Sequence, residues 1–222
     1  MFQKEVIALG LTAIIIFTLV AGAASLAIRA VERDAKLVAQ DTLPGLVNAG
    51  EALNRIQENW LNATLLLHTP DAPTRARLIE KVNTNATDAF WEKYQESIFG
   101  QRDADTFKDM QQCRTEFIAL RKEYFELVAA GKMDDAARLY ESQLKAAFEK
   151  YRNNSLALFT YNADLGQSRA DRILQISTWT PFALAGFCVL VLMLGVFVGF
   201  KATLGAFSGN WSENLGTTPS KS

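Results

Sequence analysis

Residues 133–165 read MDDAARLYESQLKAAFEKYRNNSLALFTYNADL. Stepping through them by three and four gives Ala137, Tyr140, Leu144, Ala147, Tyr151, Asn154, Leu158, Tyr161 and Leu165. Alternate steps of three and four keep side chains on one stripe of an α-helix, so the spacing predicts the heptad seam of a helical bundle. Further on, residues 181–200, PFALAGFCVLVLMLGVFVGF, carry no charged side chain. As a helix rising ~1.5 Å per residue, that run is long enough to cross a hydrocarbon core about 30 Å thick.

Residues 6–28 form a second run without a charge. The 222 residues hold 23 Lys and Arg against 24 Asp and Glu, nearly all of them between the two apolar runs. A balance this even excludes a strongly basic nucleic-acid binder. The division expected is an N-terminal segment (1–5), a first transmembrane helix (6–28), a hydrophilic domain (29–178), a second transmembrane helix (179–200) and a flexible tail (201–222) rich in Gly, Ser, Thr and Asn. Ala21, Gly22 and Ala23 resemble a signal-peptidase site, but the apolar run continues past them to Ile28, which favours a retained anchor. Cys113 lies on a seam position and Cys188 in the second run, so no intramolecular disulfide is expected.

Within the middle, residues 29–68 read as one helix with the stripe Leu46, Ala49, Leu53, Ile56, Trp60, Ala63 and Leu67. Pro44 and Gly45 are expected to kink or break it. A turn follows, with Asp71 or Ala72 near the cap and Pro73 in the first turn of a second helix over 74–99. Gly100 ends that helix; a third, over 102–130, carries Met110, Cys113, Phe117, Leu120, Tyr124 and Leu127 and stops at Gly131, after which Asp134 can cap the fourth. Two long outer helices and two shorter inner ones imply an all-α, antiparallel up-down-up-down four-helix bundle flanked by two transmembrane helices. Two helices of a stalk cannot bury their seams alone, so a homodimer is expected.

This layout resembles the N-terminal four-helix-bundle sensor domain of bacterial methyl-accepting chemotaxis proteins. The local likeness is strongest over 129–140, AAGKMDDAARLY, and continues through Phe148, Leu156, Ala157, Leu158, Tyr161 and Asn162, with Leu43, Pro44 and the leucines 65–67 also similar. The resemblance implies a bundle in the periplasm, anchorage in the inner membrane and signalling through small movements of helix four. It also implies a HAMP linker and a signalling coiled coil beyond the second membrane helix. Residues 201–222 are too short for either, so a sensor without its own output domain is expected. Sidedness rests on the resemblance, because Arg29, Arg33, Lys36, Arg169 and Arg172 outnumber Lys4 and Lys201 on the opposite ends, and the positive-inside rule weakens across a long loop.

Beside the apolar seam of helix one runs a second stripe: Asn48, Ala52, Arg55, Asn59, Asn62 and Leu66. Arg55 can hold a carboxylate bidentately, and the amides supply donors and acceptors. In receptors of the family, arginines on helix one and residues opening helix four grip a ligand across the dimer interface. By that analogy the ligand-binding candidates are Arg55, Asn59, Asn62, Arg138, Tyr140 and Gln143, against the plainer reading of a solvated flank. Asn154 reads as a register-setting seam asparagine. Gly195 and Gly199 form a Gly-x-x-x-Gly pair suited to close contact between membrane helices. Thr180 and Pro181 are the cap and first residue expected if the membrane helix starts afresh there.

His68 is the only histidine and has no cluster of partners, so no metal, cofactor or catalytic set is expected, and the chain does not read as an enzyme. The function expected is a membrane-anchored, chemoreceptor-type sensory module that takes a small ligand. The alternative is a membrane scaffold that pairs with itself, with chemoreceptors or with other signalling proteins and binds no small molecule.

Overall fold

The structure, a computed structural model, describes residues 2–214. Every regular element among them is helical. The backbone divides into two compact units, residues 34–171 and the flanking segments 1–33 with 172–222.

The unit 34–171 is the bundle. Its first helix is the end of α1 (Phe2–Leu37), a wide turn (Val38–Thr42) and α2 (Leu43–Leu65). Pro44 does not end the helix; the irregularity expected near it takes the form of the wide turn just before. Pro44 has no N–H to give, and the turn before it widens so that the Leu43 N–H reaches back five residues to the Val38 carbonyl. A short turn (Leu66–His68) closes the helix, leaving His68 exposed.

The second helix is in two pieces, α3 (Ala72–Thr84) and α4 (Asp88–Glu96), where a single helix is expected. Asp71 caps α3, its carboxylate accepting from the Thr74 N–H at 2.9 Å. The break falls at 85–87, where Asn85 leaves helical geometry in a run of Asn and Thr whose side chains compete for the backbone. α5 (Gln101–Ala129) returns, entered through Gly100 at φ 101° and left through Gly131 at φ 73°, both positions suited to glycine. The fourth helix comprises α6 (Met133–Leu139), a second wide turn (Tyr140–Leu144) and α7 (Lys145–Asn214). Asp134 lies in the first turn of α6; Lys132 occupies the cap.

Cross-contacts tie the first helix to the third and the second to the fourth. The Tyr124 hydroxyl donates to the Ala63 carbonyl at 2.9 Å, the Trp91 indole to the Tyr151 hydroxyl at 2.9 Å, and the Asn162 amide to the Tyr94 hydroxyl at 2.7 Å. The core between these levels is aromatic: Trp60 stacks on Phe148 at 4.0 Å and on Tyr140 at 5.2 Å, and Tyr94 on Phe107 at 5.5 Å. Tyr140, Leu144, Ala147, Tyr151 and Leu158 of the predicted seam are buried. A parallel row spaced by sevens, Ser155, Asn162 and Arg169, is buried as well. At the row's lower end backbones approach closely: a Cβ on Gly45 would lie 2.5 Å from Asn162 Oδ1, and one on Gly166 2.9 Å from the Thr42 methyl.

The other unit holds two helical segments whose large apolar side chains, among them Phe17, Leu26, Leu192 and Phe200, are exposed. The helices that carry them reach mean hydropathies of 2.4 and 2.6 over windows with none of the window buried, long and apolar enough to cross a membrane. Polar side chains there turn back on their own helix: Thr18 donates to the Ile14 carbonyl and Ser25 to the Ala21 carbonyl, both at 2.8 Å. Pro181 lies inside α7, and Thr180 donates to the Ile176 carbonyl at 2.6 Å instead of capping a new helix. The restart expected at Pro181 is therefore absent. α7 also continues past Phe200, where the tail was expected to begin, to Asn214; residues 215–222 of that tail lie outside the described residues.

Candidate functional site

The break between α3 and α4 is held by helix one. Asn59, 4% exposed, donates to the Asn85 carbonyl at 2.9 Å and accepts from the Asn85 amide at 3.1 Å. Arg55 donates to the Ala86 carbonyl at 3.3 Å and lies 4.7 Å from the centre of the Phe90 ring. Glu58 pairs with Lys81 at 2.9 Å, and the bond and charge of that lysine hold its carboxyl below the usual carboxylate range. Three side chains of α2 thus brace the break, and two of them, Arg55 and Asn59, satisfy carbonyls that leave the helix there.

Behind the break lies a partly open cavity of about 100 Å³. Asn59 walls one side, Thr87 and Asp88 another, Arg114 and Arg121 of α5 a third, and Tyr151 of α7 the last. The Tyr151 hydroxyl accepts from Trp91 and sits 3.4 Å from the Thr87 hydroxyl; burial raises its pKa. Arg114 pairs with Asp88, but its Nε is buried without a partner. Arg121 lies over the rings of Phe117 and Phe125, at 5.7 and 5.8 Å, and burial pushes its pKa down.

A second polar cluster occupies the end of the bundle nearest the wide turn 38–42. Tyr94 donates to Asp103 at 2.6 Å while accepting from Asn162, and burial raises the pKa of both Tyr94 and Asp103. Arg169, 8% exposed, donates to Asp41 at 2.6 Å, to the Leu37 carbonyl at 3.2 Å and to Thr42. Within this cluster Asp41 Oδ1 and Asn162 Oδ1 are buried without a hydrogen-bond partner.

Of the six residues singled out for ligand binding, the structure brings Arg55 and Asn59 to the α3–α4 break. Asn62 is buried and donates to the Glu58 carbonyl at 2.9 Å, and Tyr140 is buried in the aromatic stack with its hydroxyl 3.1 Å from Thr64. Arg138 is exposed and pairs with Asp135 nearby, and Gln143 is exposed. Only Asn59 of the six walls the cavity. The stripe on helix one faces into the bundle of its own chain, because Ala52 and Leu66, fully buried, share that stripe. Asn154 is half-buried and donates to Cys113 Sγ at 3.5 Å. A Cβ on Gly195 or Gly199 would meet nothing within 4 Å. Among the described residues no group of three or more His, Cys, Asp or Glu is placed to hold a metal ion.

Arg114 and Arg121 escaped the reading by apolar stripes. Their spacing of seven, flanking Phe117 and Ile118, is the sign that could have found them: two guanidinium groups recurring on one edge of a seam.

An all-α bundle with a polar cavity, together with two helices apolar enough to cross a membrane, defines the class: a helical-bundle domain with two candidate membrane segments. The chain belongs to the four helix bundle sensory modules for signal transduction, whose family model matches residues 4–175. Curated proteins offer no match to the chain.

Proposed function

We propose that this protein is the ligand-sensing part of a chemoreceptor-type signalling system, held in the bacterial inner membrane with its bundle in the periplasm and working as a homodimer. The match of the sensory family over the whole bundle and the first apolar run carries the reading. α7 contributes both a cavity residue, Tyr151, and the second apolar run, so one helical backbone carries the sensing surface and the membrane segment. A ligand that prefers one of two arrangements of that helix shifts their populations by its difference in affinity. The described family is sensory, and no catalytic step is part of this proposal.

The test has two arms, both on the full chain. With Cys113→Ser and Cys188→Ser as background, Ser142→Cys in the bundle should react with a membrane-impermeant maleimide applied to intact spheroplasts. Protection until lysis would put the bundle in the cytoplasm. In nanodiscs, a thermal-shift screen over amino acids and organic acids should raise Tm for at least one compound. A flat screen would favour a scaffold that binds proteins only.

A further inference from the structure

We propose that the cavity walled by Asn59, Thr87, Arg114, Arg121 and Tyr151 binds a small monoanion, either a short carboxylate or an inorganic oxyanion of similar size. The site lies within one bundle, between all four of its helices, and needs no second copy to complete it.

Charge comes first. Two guanidinium groups and one carboxylate, Asp88, border the cavity, and the carboxylate is taken by Arg114. Among the described residues no acid forms an ion pair with Arg121; it lies over the faces of Phe117 and Phe125, and Asp88 acts on it only at longer range. A partly buried cation without a counter-ion is unfavourable, and an anion arriving beside it removes that penalty. Donors come second. Arg114 Nε has no hydrogen-bond partner within the chain, and the Tyr151 oxygen accepts from Trp91, so its proton is shared at most with the Thr87 hydroxyl 3.4 Å away and can turn to an anion instead. The wall therefore offers an excess of donors, the pattern that suits an oxyanion.

Size decides the class. A volume of about 100 Å³ holds a few waters and suits an anion of few heavy atoms, such as formate, acetate or nitrate. Access runs past residues 85–87, the non-helical segment held by Asn59, with Ala86 and Asp88 exposed. An anion bridging Arg121 and Tyr151 would tie α5 to α7, the helix that bears the apolar run. This inference rests on the sensory reading for its purpose, but binding can be measured without it.

The full chain in nanodiscs is melted in sodium gluconate, whose anion is too large to enter, then with sodium formate, acetate or nitrate replacing it at constant ionic strength. Tm is expected to rise with concentration for at least one of the three. Formate or acetate alone identifies a carboxylate site, and nitrate alone an inorganic one. Arg121→Met should weaken the half-saturating concentration at least tenfold while leaving Tm in gluconate unchanged or higher, since it removes an unpaired charge. Tyr151→Phe, which keeps the packing, should weaken it severalfold and serves if Arg121→Met does not fold. No response to any of the three, or the same response in every variant that folds, overturns the site. A larger compound that shifts wild type and Arg121→Met alike would keep the sensory reading and place its ligand elsewhere.

Discussion

Asp103 shows what a single residue carries in this bundle. It is 1% exposed at the start of α5, accepts from Tyr94 at 2.6 Å, and burial raises its pKa. Because the folded value is raised, the native state holds this proton longer than the unfolded chain does. Its stabilising effect is therefore present below the unfolded value of about 3.9 and is lost as pH climbs from there through the folded value. Asp103→Asn keeps an oxygen for Tyr94 without the charge. It should flatten the fall of Tm across that window and leave the protein at least as stable at pH 7. A mutant whose Tm–pH curve parallels wild type would place the titration elsewhere. Gly45 is a second residue-scale case, since a Cβ there would strike Asn162 Oδ1 at 2.5 Å and the buried amide has few places to go. Gly45→Ala should destabilise by about 1–3 kcal/mol in chemical denaturation of the full chain, and Gly50→Ala, where the nearest atom is 3.4 Å away, should be much milder.

At the scale of elements, the break at 85–87 depends on helix one. Asn59→Ala removes both bonds to Asn85 and leaves the Asn85 carbonyl without its donor, while the Asn85 amide keeps Glu58, a loss of about 1–3 kcal/mol. Hydrogen exchange should quicken first at residues 83–90, before α5 or α7 responds; uniform acceleration would mean the break has no independent stability. The same element shows how far the sequence could be read. Tyr140, Leu144, Tyr151 and Leu158 were legible because a helix with one buried face must repeat its apolar residues at its own period. Ser155, Asn162 and Arg169 keep the same period in polar types, so a search for apolar stripes passes over them. Their burial is made tolerable by partners on other helices, Tyr94 and Asp41, which no local pattern reveals. The break itself escaped for a related reason: the run of Asn and Thr is only weakly opposed to helix, and Arg55 and Asn59 decide the matter from a distance. Pro44 and Pro181 misled in the opposite sense. A proline removes one donor, and a widened turn or a neighbouring threonine lets the helix continue.

For the whole molecule, the open question is what covers the exposed apolar segments. Lipid covers most of such a surface, but Gly195 and Gly199 sit four residues apart on one face, where a Cβ would meet nothing of this chain. Small residues four apart let a second helix approach closely and gain van der Waals contact along that face. In a background of Cys113→Ser and Cys188→Ser, Gly195→Cys and Gly199→Cys should form disulfide-linked dimers in native membranes under mild oxidation. Phe197→Cys, two residues away and so on the far side of the helix, should form few. Equal cross-linking at all three positions would indicate random collision in the bilayer. No cross-linking at any of them would rule this face out as a contact between copies. The same membranes connect this scale to the cavity. If an anion bridging Arg121 and Tyr151 moves α7, then adding it should change the cross-linking rate at Gly195→Cys. The Arg121→Met background should remove that change while leaving the basal rate alone. A rate that ignores the anion, in a protein shown by thermal shift to bind it, would mean that binding and the membrane helices are uncoupled.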